Sequence, residues 1–192
     1  QDGLSAVIVE VNIQTDFAAR NEEFTTFVDK VVQAAEAAED GADLGAQPFP
    51  GGQGTVEENR AALVGRLGEN ITVRRWQRVR VPSPGKVTSY IHMGGKIGVI
   101  LGVKTGSAEV AGHAEVAKFL DETAMQVAAM NPPYLHAGEI PEADKNQQRE
   151  IYAAQLAEEG KIPEDKRPNA IEGKLGKWAQ EVCLLDQPSV LE

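Results

Sequence analysis

The sequence predicts an α+β protein of two pseudo-repeated subdomains, each a small antiparallel sheet packed with helices, plus a projecting helical hairpin. Three observations predict it. Residues 6–13 and 97–103 are apolar strand-like runs, each followed by a helical stripe, which makes a weak internal repeat. Gly94-Gly95 separates two strand-like runs as a tight hairpin turn does. Residues 141–159 are helical in pattern yet carry little apolar surface, so that helix has little to bury. The first subdomain is drawn over residues 1–81, with 36–54 as a mobile loop. The second is drawn over 82–192, with 141–170 as the projecting helical element.

The elements follow in order. In residues 6–13, Val7, Val9, Val11 and Ile13 share one strand face, while Glu10 and Asn12 share the other. Residues 14–21 break the alternation. Phe24, Phe27, Val28, Val31, Val32 and Ala35 then recur at offsets of three and four, the stripe of an amphipathic helix. From Glu36 to Gly54 the composition turns to Gly, Pro, Ala and acid, which reads as a loop. Thr55 and Glu58 have capping-box spacing for a helix through Leu67, and Gly68 is placed to end it. Residues 71–81 form a basic strand whose alternation slips near Trp76, as a bulge or bend requires. Residues 82–85 are a turn; residues 87–92 and 97–103 are the two hairpin strands. A helix, whole or broken in two, runs from about Ala111 to the stop at Asn131-Pro132-Pro133. The polar helix ends at Gly160. A last helix carries Ile171, Leu175, Trp178 and Val182 on one stripe.

The composition narrows the function. Of 192 residues, 42% are apolar and 25% charged, the balance of a globular protein. Aromatic residues make up only 5%, so the core rests on Val, Ile, Leu and Ala. The formal net charge of −10 disfavours a direct nucleic-acid partner, because an acidic surface repels phosphate. Cys183 is the single cysteine; it cannot form an internal disulfide, which favours a reducing compartment. No run approaches the roughly 18 apolar residues that span a bilayer, and no signal-peptide pattern opens the chain. It begins with Gln1 rather than Met, as a fragment or a processed form does.

No motif of chemical catalysis is found. Gly94-Gly95-Lys96-Ile97-Gly98 is too short for a phosphate loop and belongs to the hairpin. His92, His113 and His136 lack metal-site spacing, and no nucleophile elbow is present. The expectation is a protein that works through a binding surface: not an enzyme, with no catalytic residues, no metal and no cofactor.

One stretch points further. Residues 9–24 read Glu-Val-Asn-Ile-Gln-Thr-Asp-Phe-Ala-Ala-Arg-Asn from Glu10 to Asn21, and closely resemble the signature of elongation factor Ts. Ile13 stands where the family has Cys, and Ala18 where it has Val. Residues 68–75 (Gly-Glu-Asn-Ile-Thr-Val-Arg-Arg), Ser89-Tyr90-Ile91-His92, residues 125–135 and residues 171–188 resemble further blocks of that family, in the family's order. The blocks are those of its core, or dimerisation, region. Its N-terminal helical domain of ubiquitin-associated type has no counterpart among these residues. Ser189 stands in place of a family Phe.

The resemblance implies a guanine-nucleotide exchange factor that binds elongation factor Tu, GDP-bound or nucleotide-free, and promotes GDP release. It implies a homodimer or a Tu–Ts heterotetramer as the assembly, and a bacterial cytoplasm or an organellar matrix or stroma as the compartment. The residues it assigns to the Tu interface are Thr15, Asp16, Phe17, Arg20, Asn21, Tyr90 and His92. Asp16 and Phe17 would wedge near the magnesium site of Tu, and His92 would help displace a backbone segment near the GDP phosphates. Other readings stay open at this point. Asp16 also suits a helix N-cap, Phe17 a core position, and His92 an ordinary surface site. A Ts-like scaffold or chaperone that binds Tu without full exchange activity is the alternative function. Phe17 itself is expected to be exposed, because Phe24 and Phe27 already fill the apolar stripe of the following helix.

Overall fold

The computed structural model describes residues 3–191. Among the described residues, four strands, β1 (Ser5–Ile13), β2 (Ile71–Arg80), β3 (Gly85–His92) and β4 (Ile97–Lys104), form two antiparallel two-stranded sheets, β1-β2 and β3-β4. Six α-helices accompany them among the described residues: α1 (Glu22–Ala37), α2 (Val56–Leu67), α3 (Ala108–Gly112), α4 (Ala114–Met130), α5 (Glu142–Glu159) and α6 (Arg167–Val182). The fold is α+β, with antiparallel sheets as the alternation predicts. The chain divides into two compact units, residues 1–124 and 125–192. Both sheets belong to the first unit, so the boundary drawn from sequence after residue 81 falls between its two sheets.

In the first unit the core forms where the predicted stripes meet. Phe24, Phe27, Val31, Ala34 and Ala35 of α1 are buried with Val56 and Leu63 of α2 and Ile71 of β2. Val7, Val9, Val11 and Ile13 pack against this cluster from β1. The slip near Trp76 is a β-bulge. Glu10 pairs with Arg75 and Val11 with Val73, which leaves Arg74 as the extra residue. One added residue inverts the strand phase, so Val73 and then Trp76 both face the core.

The two sheets of this unit meet at glycines. A Cβ at Gly98 would lie 2.8 Å from Ile8 Cδ1, and one at Gly102 would overlap Val81 Cγ1. Only hydrogen at these β4 positions lets the neighbouring side chains approach.

Local signals place the termini of α1 and α2. Asn21 caps α1 by accepting from the N–H groups of Glu23 (2.8 Å) and Phe24 (3.4 Å). Thr55 and Glu58 complete a reciprocal capping box on α2, and Gly68 ends it in the left-handed region at φ 71°. The segment between α1 and α2 is irregular, as its composition predicts, but it is anchored. Leu44 is buried, Phe49 stacks on Phe27 with ring centroids 5.9 Å apart, and Trp76 Nε1 donates to the Ala42 carbonyl at 3.0 Å. Two apolar residues scattered among Gly and Pro are too sparse to register as a pattern, yet they supply the anchors.

The helix expected near Ala111 is broken into α3 and α4 at His113, and α4 stops before Asn131, which takes φ 45°. In the second unit, α5 and α6 form a helical hairpin. Arg149 of α5 pairs with Glu172 of α6 at 2.9 Å, and Leu156, Leu175 and Cys183 are buried. Gln126 is buried and fully used: it donates to Gln187 and the Pro188 carbonyl and accepts from Val190 N–H, fastening the last residues.

Candidate functional site

The chain leaving β1 turns sharply at Gln14 and runs through a 3-10 turn, Ala18–Arg20, into α1. Thr15 organises this turn. Its carbonyl accepts from Ala19 N–H at 3.0 Å and its hydroxyl from Ala18 N–H at 3.2 Å. The same hydroxyl donates to Glu69 Oε1 at 2.7 Å, and the Thr15 N–H donates to Glu69 Oε2 at 3.1 Å. Hydrogen bonds within the chain therefore hold the turn.

The turn presents Phe17, which is 92% exposed. An apolar ring that large, held in water by a hydrogen-bonded turn, suits a contact surface far better than a core. The core position is excluded for Phe17, and the N-cap position for Asp16, since Asn21 takes that role. Asp16 is also exposed and pairs instead with Lys96 Nζ at 3.3 Å. That pair joins the turn to the β3-β4 hairpin. Arg20 closes the 3-10 turn and is exposed.

At the hairpin, Tyr90 and His92 lie two residues apart on one face of β3. The Tyr90 hydroxyl and His92 Nδ1 are 2.9 Å apart and the rings stack with centroids 5.8 Å apart. The connection to β4 is Met93–Lys96, with Met93 at φ 51°, Gly94 at 64° and Gly95 at 96°. Met93 is a non-glycine residue in the left-handed region, an uncommon and strained position. Ile91 and Met93 are exposed on this hairpin. The ion pair thus sets one apolar tip, Phe17, beside a second tip with Ile91, Met93 and the Tyr90–His92 pair.

Three residues of this surface carry no signal in strand or helix periodicity: Glu69, Lys96 and Met93. Glu69 sits in the Gly-Glu-Asn block, but its task depends on strand register. The register that pairs Ile13 with Ile71 sets Thr15 opposite Glu69 when extended by two residues.

Other features of the chain do not compete. Among the described residues, no group of three or more His, Cys, Asp or Glu is placed to hold a metal ion. Burial pushes the Cys183 thiol above its usual range, which suppresses the reactive thiolate. A groove of about 540 Å3 runs along β2 past Arg60, Arg74 and Trp76, but the arginine partners there are already Glu57 and Glu10. Among the described residues, no helix is long and apolar enough to cross a membrane.

Comparison with known proteins gives the family of the chain. The family model described as Elongation factor TS matches residues 14–192. An elongation factor Ts of Bordetella avium (strain 197N) is 42% identical over 190 residues, covering 98% of this chain and 60% of that protein. One of a Nitratiruptor species is 41% identical over 192 residues, covering 99% of this chain and 61% of that protein. One of Xanthomonas campestris pv. campestris is 40% identical over 194 residues, covering 100% of this chain and 62% of that protein. The chain thus spans about three fifths of the length of these relatives. With a match across nearly its whole length and five motif blocks in order, the chain belongs to the elongation factor Ts family.

Proposed function

We propose that this chain binds elongation factor Tu and promotes release of its GDP during translation elongation, acting as a guanine-nucleotide exchange factor rather than as a catalyst of a chemical reaction. The observation that carries the reading is Phe17: an exposed aromatic ring on a turn that hydrogen bonds hold in place. Family membership supplies the partner, and the bacterial sources of the relatives support a bacterial cytoplasm.

The physics of the proposal is direct. Phe17 contributes about 1.5–3 kcal/mol when an interface removes it from water. Asp16, beside it, brings a carboxylate toward the nucleotide site. Mg²⁺ demands near-ideal octahedral geometry, so a small displacement of its ligands weakens both the ion and the phosphates it holds. His92 and Tyr90 form the second contact. Linkage then requires that the chain bind GDP-loaded Tu more weakly than empty Tu, by the same factor by which it lowers GDP affinity.

The test is Phe17→Ala, read by thermal melting and by stopped-flow release of fluorescent GDP from Tu. The melting temperature stays nearly unchanged, because the ring is already in water. The saturating release rate falls by about tenfold or more, since about 1.4 kcal/mol corresponds to a factor of ten. Binding without accelerated release in the unmodified chain would support the scaffold reading instead. Truncation of a core Phe would cost about 3–5 kcal/mol of stability; a melting-temperature loss on that scale with normal exchange would remove the wedge role.

A further inference from the structure

We infer that Glu69 is a positioning residue that holds the Thr15–Phe17 turn in its partner-ready shape; the inference rests on the exchange-factor reading for its purpose, not for its geometry. Antiparallel pairing of β1 and β2 ends at Ile13–Ile71. Two residues further on, Thr15 still lies opposite Glu69, but no backbone ladder joins them. The Glu69 carboxylate takes the ladder's place. One oxygen accepts from the Thr15 hydroxyl at 2.7 Å, the other from the Thr15 N–H at 3.1 Å.

The arrangement is two-sided. A carboxylate offers acceptors on both oxygens, and Thr15 offers both a side-chain and a main-chain donor. With its own proton committed to Glu69, the Thr15 hydroxyl keeps lone pairs for the Ala18 N–H at 3.2 Å. Glu69 therefore orients the hydroxyl that organises the next turn, the one that carries Phe17. Gly68 makes the placement possible: its left-handed backbone ends α2 and swings the chain into β2, leaving Glu69 half-buried at the sheet end. The Asp16–Lys96 pair is the weaker tether. Both of its side chains are mostly exposed, at 74% and 60%, and exposed pairs are screened.

The inference makes a prediction unlike that for Phe17. A turn released from Glu69 samples several shapes, of which only a fraction bind. Apparent affinity falls by that fraction, while the complex, once formed, is unchanged. Glu69→Ala therefore raises the half-saturating concentration in the fluorescent-GDP assay by about tenfold and keeps the saturating release rate. Phe17→Ala lowers the saturating rate instead. Glu69→Gln retains one acceptor and falls between wild type and Glu69→Ala.

A second readout needs no Tu. Amide hydrogen exchange on the free chain detects opening of the turn. Glu69→Ala speeds exchange at the Thr15 and Ala18 amides by about tenfold, with core amides of α1 unchanged. Thr15→Val, which removes the hydroxyl, loosens Ala18 in the same direction and serves if Glu69→Ala folds poorly. Unchanged protection at both amides in folded variants overturns the inference. So does a loss of protection spread evenly over the first unit, which marks Glu69 as merely structural. If the unmodified chain fails to accelerate GDP release while the local exchange difference stands, the exchange-factor reading fails and the positioning role does not.

Discussion

Arg78 shows how much a single side chain can hold. It is a β2 residue whose side chain is 5% exposed, and its guanidinium donates to the carbonyls of Ala35, Glu36 and Ala38 and to Asp40 Oδ1 at 2.7 Å. Those carbonyls are the unsatisfied end of α1. A cation there also meets the negative end of the helix dipole. The same guanidinium lies 5.4 Å from the Trp76 ring centroid. Arg78→Ala leaves several carbonyls without a donor, and we expect it to destabilise the chain by about 2–4 kcal/mol in urea unfolding. Arg78→Lys recovers less than half, because an ammonium lacks the planar fork. A loss below about 1 kcal/mol would mean that water satisfies this helix end as well as Arg78 does. Phe17 is the opposite case: its ring already lies in water, so its removal should cost little stability.

At the scale of elements, the β2 bulge has an electrostatic consequence. By inserting Arg74, it brings two guanidinium groups to one carboxylate: Arg74 Nη1 and Arg75 Nε lie 2.7 and 2.6 Å from the two oxygens of Glu10. Hydrogen bonds from Arg74 first, then Arg75, hold the Glu10 carboxyl at about 2, below its ordinary 4.5. The folded value is below the unfolded one. The stabilisation is therefore present above about pH 4.5 and is lost as pH falls toward 2. Carboxylate titration by NMR should find Glu10 near 2 and return it toward 4.5 in the Arg74→Ala/Arg75→Ala double variant. The acid limb of the stability curve should flatten over the same window. Since these side chains meet water, added salt weakens the effect. A Glu10 midpoint near 4.5 in the unmodified chain would show that the bulge does not assemble this pair in solution.

At the scale of the molecule, the two sheets of the first unit form one body only because β4 is bare where they touch. Gly102 is the tightest point. A Cβ there would overlap Val81 Cγ1, lie 3.0 Å from Val79 Cγ1 and lie 3.4 Å from Val87 Cγ1. Three valine methyls crowded around one position cannot all retreat. Gly102→Ala should therefore destabilise by about 1–3 kcal/mol through overpacking. Gly98→Ala should cost less, since the nearest atom is the flexible end of Ile8. Equal unfolding midpoints for the wild type and Gly102→Ala would show that the sheets can separate without penalty. Phe17 follows β1 and His92 ends β3, so sheet packing sets how the two tips of the candidate surface lie.

Local physics is legible in the sequence alone, and it accounts for most of the elements. Strand faces, helix stripes, the Thr55–Glu58 box, the Gly68 stop and the Asn131 stop are set by neighbours a few residues apart. The same locality made Phe17 legible: two other phenylalanines already filled the α1 stripe. The bulge was legible as a slip in alternation, though not which residue was extra. Tertiary structure alone decided the partners that span long stretches of chain. Glu69 meets Thr15 through strand register; Arg78 meets the end of α1, and Lys96 meets Asp16, through packing. The anchoring of Leu44 and Phe49 in a loop of glycine and proline belongs with these. A periodic pattern reports which face of an element is apolar; it holds no information about which distant polar group will complete a hydrogen bond. That choice depends on register and packing distances of a few tenths of an ångström, which exist only once the chain has folded.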